Sequence, residues 1–187
     1  MIADAQAMTK EQYLEFEKNS ELRHEFVDNT VLAMAGSSLK HNEIIFRIRS
    51  ALTKAVQEKN CQIATESLKV LTHNGRYRYP DVVVSCETSP DEYFMVAPCF
   101  IAEVQSDSTA ETDNGAKLDE YTKIPSLQRY AIVSQKTRQV VLYKRLGETW
   151  SFTVLLENGE IDIPCLKATL SLEQIYAGLE LDQTESV

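Results

Sequence analysis

The sequence contains few of the residues that mark disulfide-rich or metal-finger proteins. Its 187 residues include only 4 cysteines, 3 histidines and 1 tryptophan. No two cysteines form a CxxC pair, and three of the four lie in apolar, strand-like runs. This pattern favours reduced, buried thiols over disulfides or zinc ligands. The cysteines are Cys61, Cys86, Cys99 and Cys165.

Long apolar runs and glycine-rich motifs are absent as well. The amino-terminal MIADAQAMTKEQ has no apolar core of signal-peptide length, and no run approaches the length of a membrane span. We find neither a phosphate-binding glycine loop nor a nucleophile elbow. We therefore expect a cytoplasmic protein that does not contact a membrane.

Positive charge is in short supply. The chain has 19 Lys and Arg against 28 Asp and Glu, which gives a net charge of −9. Such a balance does not suggest a protein that bulk electrostatics hold on nucleic acid, although it leaves room for a local basic patch. Lys40, Lys69, Arg76 and Arg78 are candidates for a basic rim, with a scattered solvated surface as the default interpretation.

The order of periodic segments predicts one α/β (α+β) domain with a central mixed sheet flanked by helices. The domain should span residues 1–187, with a core over about 9–180 and a frayed tail at 181–187. Predicted helices cover about 9–18, 39–58, 112–123 and 171–179; a hairpin turns at Asp28-Asn29; and strands cover 61–72, 80–87, 98–104, 127–134, 139–145 and 149–156. Thr9 and Gln12 form a candidate capping box for the first helix, and Ser37 or Ser38 can cap the second. The second helix carries an apolar stripe of Ile45, Ile48, Leu52 and Val56.

Two acidic residues stand in predicted strands where burial is costly. Asp81 opens a strand with a continuous Val82-Val83-Val84 centre, and Glu103 lies near the end of the next strand. Each alone is explained by a strand end or by a Lys or Arg partner. Two carboxylates on adjacent strands also share a divalent cation well, and Mg²⁺ binds through one or two carboxylates while keeping several waters.

A third signal follows in the segment DNGAKLDEY. Asp113, Lys117 and Tyr121 recur at four-residue spacing, which places them along one face of a helix. A helix that starts just after the Glu103 strand can point Lys117 back at the carboxylates. Taken alone, Asp113 and Lys117 are explained as a surface ion pair worth a few tenths of a kcal/mol.

These segments, in this order, resemble the Uma-two family of endonuclease-like bacterial proteins, a branch of the PD-(D/E)XK restriction-endonuclease-like superfamily. The resemblance rests on HEFVDNTVLAMAGSSLKHNEI, YPDVVV, IAEVQSDST, DNGAKLDEY, LQRYAIVS and VVLYKR, and it covers about residues 9–180. Each motif is modest alone, while their order and spacing are fairly specific. The resemblance implies a mixed sheet flanked by helices.

The resemblance also implies a set of site residues. The signature aspartate and glutamate of the superfamily map to Asp81 and Glu103. The usual lysine two positions later is replaced by Gln105, which has no charge and cannot accept a proton from water. In the Uma-two pattern a lysine occurs on the following helix, where Lys117 stands. Asp113 and Tyr121 match recurring family positions without an assigned role.

The sequence therefore leads to the hypothesis of a metal-dependent endonuclease. Asp81 and Glu103 would hold Mg²⁺ or Mn²⁺, with the Val104 carbonyl as a third ligand, and Lys117 would orient water or offset charge. Gln105 would add a hydrogen bond. Additional candidates are His41, which opens the long helix, and Glu66, although a capping histidine and an exposed strand glutamate explain them equally well or better.

A competing hypothesis is a catalytically degenerate nuclease fold that acts as a binding or regulatory module, since fold does not fix function. The charge of −9 and Gln105 favour it, whereas the Asp81–Glu103 pair favours the enzyme. By analogy with restriction enzymes, nucleic acid, and DNA in particular, is the expected partner. The same analogy implies a homodimer, with the last strands and their Trp150 and Phe152 at the interface.

Overall fold

The computed structural model describes residues 7–34, 36–105 and 115–181 of the chain. The helices there are α1 (Lys10–Asn19), α2 (Leu39–Glu58), α3 (Ala116–Thr122) and α4 (Leu172–Tyr176), with a 3₁₀ helix at Pro164–Leu166. The strands are β1 (His24–Val27), β2 (Thr30–Ala33), β3 (Gln62–Ala64), β4 (Lys69–Leu71), β5 (Tyr77–Arg78), β6 (Val82–Ser85), β7 (Phe94–Met95), β8 (Phe100–Gln105), β9 (Arg129–Ser134), β10 (Gln139–Leu146), β11 (Thr149–Leu156), β12 (Glu160–Ile163) and β13 (Ala168–Ser171). This is the mixed α+β architecture that the sequence predicts.

A six-stranded mixed sheet forms the centre, in the order β11-β10-β9-β8-β6-β3. Strands β8 and β9 run parallel, and the other neighbours are antiparallel. All four residues of β6 are buried, as are the first five of β8. The prediction that these apolar runs form strands covered on both faces is therefore confirmed.

Helix α2 covers one face of this sheet. Its amino end is capped by Ser38, whose side chain accepts a hydrogen bond from the His41 N–H. Three residues of the predicted apolar stripe, Ile45, Ile48 and Leu52, are buried in a core that they share with β6, β8 and α4. The cap and the 3.6-residue periodicity are local signals, which is why the sequence alone located this helix.

Helix α3 lies on the opposite face, where a second apolar cluster forms. Tyr121 and Ile124 pack there against Val83 and Ile101 of the sheet and against Tyr130. The Tyr121 and Tyr130 rings meet edge to face with centroids 5.3 Å apart. This packing fixes the side of α3 that faces the central strands.

A five-stranded sheet in the order β2-β1-β5-β4-β7 adjoins the centre. Its β1–β2 hairpin turns at Asp28 and Asn29, both with positive φ, as expected for the tight turn predicted there. Helix α1 begins at the predicted capping box, in which Thr9 and Gln12 exchange hydrogen bonds.

The predicted strand over residues 61–72 is wrong as a single element. The structure divides it into β3 in the central sheet and β4 in the smaller sheet. Glu66 lies between them with φ of 50°, in the left-handed region that a glutamate rarely adopts. The chain therefore changes sheets at a point that its uninterrupted strand-like composition does not reveal.

The prediction of reduced, separate thiols is also wrong for this structure. All four cysteines are paired in two disulfides, Cys61–Cys86 and Cys99–Cys165. Strands β3 and β6 pair with Gln62 opposite Ser85, so Cys61 and Cys86 come to lie across from each other. Their sequence separation of 25 residues hides this proximity from a sequence-based argument.

Asp113 and the tail beyond residue 181 lie outside the described residues. Among the residues that the structure describes, no helix is both long enough and apolar enough to cross a membrane.

Candidate functional site

The antiparallel ladder between β6 and β8 brings the two predicted carboxylates to neighbouring positions. Val82 pairs with Ala102, and one further step along this register sets Asp81 opposite Glu103. Asp81 directly precedes β6, so the two carboxylates stand at neighbouring positions of adjacent strands. Both residues are buried, with 9% of Asp81 and 2% of Glu103 exposed, so their charges need partners.

Asp81 is held by two groups from different elements. Its Oδ2 accepts a hydrogen bond of 2.6 Å from the Val104 N–H of β8. The same oxygen lies 3.2 Å from Nε2 of His41, in the first turn of α2. Because Ser38 caps α2, His41 lies in the first turn of this helix, from which its side chain contacts Asp81.

Glu66 joins this group from the segment between the two sheets. One ligand atom from each of His41, Glu66 and Asp81 lies within 4.8 Å of the others, close enough to bind one metal ion. The left-handed backbone at Glu66 costs about 1 kcal/mol or more, and such residues cluster at functional sites. The exposed strand position that the sequence favoured for Glu66 is wrong, since the residue is half-buried and lies outside any strand.

The protonation of this group reflects crowded negative charge. Burial raises the pKa of Glu66, and the charge of Asp81 raises it further. Burial alone would lower the pKa of His41, but its hydrogen bond to Asp81 and the charges of Asp81 and Glu66 outweigh that effect and raise it. A cation near these three residues would therefore be electrostatically favoured.

Helix α3 supplies the partners of Glu103. Lys117 Nζ lies 3.2 Å from Glu103 Oε2, and the Tyr121 hydroxyl donates a 3.0 Å hydrogen bond to Oε1. Burial and the Glu103 charge raise the pKa of Tyr121 well above its ordinary value, so the phenol stays protonated and can donate. The four-residue spacing of Lys117 and Tyr121 delivers both groups to one carboxylate.

Sequence reasoning missed the charged residues behind Lys117. Glu25 of β1 lies 4.0 Å from Lys117 Nζ and 2.7 Å from an Arg78 guanidinium nitrogen. Arg78 also binds both oxygens of Glu120 on α3, at 2.8 and 2.7 Å. Arg76 donates to the same Glu120 at 2.6 Å. We call Glu25, Arg76, Arg78 and Glu120 the buried ion network.

The basic-rim hypothesis is accordingly wrong for part of its set. Only 2% of Arg78 and 7% of Lys69 are exposed, so neither residue can belong to a basic rim or to a solvated surface. Burial alone would lower the pKa of Arg78, but Glu120 and Glu25 raise it, so the guanidinium remains charged. One feature of the sequence could have predicted the buried ion network. Glu120 stands three residues after Lys117 and therefore lies on the same side of α3.

The remaining predicted residues are placed by β8. Gln105 ends this strand two residues after Glu103, so the two side chains point to the same face. Its Nε2 has no hydrogen-bond partner among the described residues. Val104 alternates to the opposite side, where its side chain packs in the core beneath α2.

The sequence also matches a known protein family. The sequence profile of the Uma2 (Uma-two) family, described as "Putative restriction endonuclease", matches residues 10–177. The chain belongs to the Uma2 family. The matched range contains every helix and strand of the described residues, including the carboxylate strands and Lys117 on α3, so the family covers the whole described site.

Two curated proteins and one solved structure are similar to this chain over most of its length. Uncharacterized protein slr1290 of Synechocystis sp. is 28% identical over 176 residues, covering 92% of this chain and 93% of the relative. Uncharacterized protein sll1609 of the same organism is 29% identical over 174 residues, covering 89% and 98%. A crystal structure of a "putative nuclease belonging to DUF820" from Anabaena variabilis shares the fold, with a TM-score of 0.70 and 17% identity over 91% of this chain and 98% of that one.

Proposed function

We propose that this Uma2 family member is a divalent-metal-dependent endonuclease that hydrolyses phosphodiester bonds of nucleic acid, with DNA as the substrate. The observation that carries the proposal is the pairing of two buried carboxylates at adjacent strand ends, each with its own cationic or metal-ligating neighbours. Asp81 is accompanied by His41 and Glu66, and Glu103 by Lys117.

The donor set fits Mg²⁺ or Mn²⁺. Asp81, Glu103 and Glu66 offer carboxylate oxygens, which both ions prefer, and the His41 imidazole suits Mn²⁺ better than Mg²⁺. The hydrogen bond from Val104 N–H to Asp81 brings that main chain beside the carboxylate, so the Val104 carbonyl remains a candidate ligand. When bound, such an ion lowers the pKa of a ligated water and polarises the scissile phosphate.

Lys117 and Gln105 would act on the phosphate and on the attacking water. Lys117, fixed by Glu103 and Glu25, would offset negative charge that develops on the phosphate and would orient the attacking water. Gln105 points to the same face and has a donor amide that no described residue satisfies, so it can hydrogen-bond a water or phosphate oxygen. In this assignment Lys117 takes the role of the lysine that the superfamily usually has at the position of Gln105.

The test of this function uses the full wild-type chain. We expect isothermal titration calorimetry to show Mn²⁺ binding, and we expect relaxation of supercoiled plasmid with Mg²⁺ or Mn²⁺ but not with EDTA. Single-stranded DNA and RNA serve as parallel substrates and define the polymer. Metal binding with no cleavage of any polymer would contradict the enzyme and favour the binding or regulatory module that Gln105 also suggests.

We further propose that two copies associate through β11, the edge strand of the central sheet. Phe152, Val154 and Leu156 alternate onto one face of β11 and are 66%, 46% and 53% exposed. Apolar side chains in a row on an edge strand favour a protein contact. Trp150 contributes less than predicted, because it packs partly inside and donates to the Thr122 carbonyl.

We expect light scattering to report a dimer for the wild type and a monomer for Phe152→Glu with Val154→Lys. These changes place charges on the apolar row and leave Leu155, which packs against the core from the other face of β11, unaltered. Leu22→Glu is a matched control, since Leu22 is exposed to the same extent as Phe152 but lies outside β11. A wild-type monomer at all concentrations would contradict the dimer.

A further inference from the structure

The four cysteines converge on one place in the fold, although the two disulfides connect only two pairs. Cys61 precedes β3, Cys86 follows β6, Cys99 precedes β8, and Cys165 lies in the 3₁₀ helix. Strands β3, β6 and β8 are consecutive neighbours in the central sheet, so their ends bring three cysteines together. The 3₁₀ helix adds the fourth.

The distances between the two pairs are short. The Sγ atoms of Cys86 and Cys99, which belong to different disulfides, are 4.0 Å apart. The sulfurs of Cys86, Cys99 and Cys165 all lie within 4.8 Å of one another. Two disulfides that served only to cross-link distant segments would not need to lie against each other.

From this convergence we propose that the reduced chain binds one Zn²⁺ through Cys61, Cys86, Cys99 and Cys165. Four thiolates around zinc form a tetrahedron with bonds of about 2.3 Å and therefore S···S edges of about 3.8 Å. The Cys86–Cys99 separation of 4.0 Å already approaches that value. On reduction, the two bonded sulfurs of each pair must move apart by about 2 Å, and Cys61, which is not among the three sulfurs within 4.8 Å of one another, must turn toward them; side-chain rotation can supply both movements.

The chemistry of the exchange balances. Each disulfide takes two electrons and two protons from two molecules of a thiol reductant, which themselves become a disulfide. The resulting four thiols lose four protons to solvent as Zn²⁺ binds four thiolates, which leaves a net charge of −2 at the centre. Soft sulfur ligands in tetrahedral arrangement select zinc over the hard ions proposed for the carboxylates.

The cluster is separate from the candidate active site. Asp81 and Cys86 flank opposite ends of β6, which places them about 17 Å apart along the strand at the usual rise per residue. Cys86 is exposed and gives the ion a path from solvent, whereas Cys99 is only 6% exposed. A zinc centre there would join three strand ends to the 3₁₀ helix in place of the two disulfides.

The test uses the full chain, purified without oxygen in a water-soluble phosphine and stripped of metal with EDTA. We expect Co²⁺ to produce thiolate charge-transfer bands that saturate at one equivalent and disappear when Zn²⁺ is added. We expect no such bands at one equivalent for Cys86→Ser or Cys165→Ser, which remove one sulfur from each pair. Asp81→Asn, which alters the carboxylate site, should show the same thiolate charge-transfer bands as the wild type.

Two results would overturn the zinc centre. One is the absence of the bands from reduced wild-type chain that circular dichroism shows to be folded, which needs no variant. The other is loss of the bands in Asp81→Asn with retention in Cys86→Ser. X-ray absorption at the zinc edge of the wild type adds an independent measurement, because nitrogen or oxygen ligands in place of sulfur would also contradict the assignment.

Discussion

Replacing Glu103 with glutamine is expected to abolish metal-dependent phosphodiester cleavage. The side chain keeps its shape and can still contact Tyr121 and Lys117, but it loses the charge that would help to hold the ion. Removing a single group that stabilises charge in an active site costs about 10²–10³ in turnover, and a lost metal ligand should cost at least the upper value. Plasmid cleavage with Mn²⁺ and calorimetric Mn²⁺ titration measure both effects.

A matched control and a second variant sharpen this experiment. Glu58→Gln makes the same chemical change at an exposed position near the end of α2 and should leave cleavage unchanged. Lys117→Met should reduce turnover strongly while Mn²⁺ binding persists, because the lysine acts on substrate and water in our assignment. Cleavage that survives both Asp81→Asn and Glu103→Gln would refute the site.

Replacing Glu120 with glutamine is expected to lower the free energy of unfolding by about 3–5 kcal/mol, the usual cost of breaking a buried ion pair. Glu120 is 1% exposed and binds the guanidinium groups of Arg76 and Arg78. The substitution leaves Arg78 with less compensation inside the protein, whereas the unfolded chain solvates each charge freely. Urea denaturation followed by circular dichroism, with both disulfides intact, provides the measurement.

The neighbouring residue provides the control for this prediction. Asp119 forms an exposed pair with Lys123 one turn further along α3, at 2.7 Å. Exposed pairs at this spacing contribute about 0.3–0.5 kcal/mol, so Asp119→Asn should shift the urea midpoint only slightly. Equal losses of unfolding free energy for the two variants would show that burial does not increase the contribution of the buried ion network to stability.

Several features of this protein were accessible because their signals are local. The Thr9–Gln12 capping box located α1, and the apolar stripe that follows the candidate caps Ser37 and Ser38 located α2. The Val-rich centre of β6 identified a fully covered strand. Caps, periodicity and apolar runs depend on residues within a few positions of one another, so the sequence displays them directly.

Other features depend on contacts across long stretches of chain. Arg78 and Glu120 are 42 residues apart, and nothing around either residue distinguishes it from a surface charge. The change of sheet at Glu66 requires a left-handed backbone that the surrounding sequence does not announce. Burial is decided by which elements pack together, and a sequence pattern reports only the preference of each element.

The sequence by itself determined the fold class, the capping box of α1, the central apolar strands and the carboxylate and lysine candidates. Only the tertiary structure decided which partners these residues have: His41 and Glu66 beside Asp81, and Lys117 with Tyr121 on Glu103. It also gathered the four cysteines, whose spacing suggested no site. The physical reason is that secondary structure follows from neighbours along the chain, whereas a site is built where separate strand ends and helix faces meet in space.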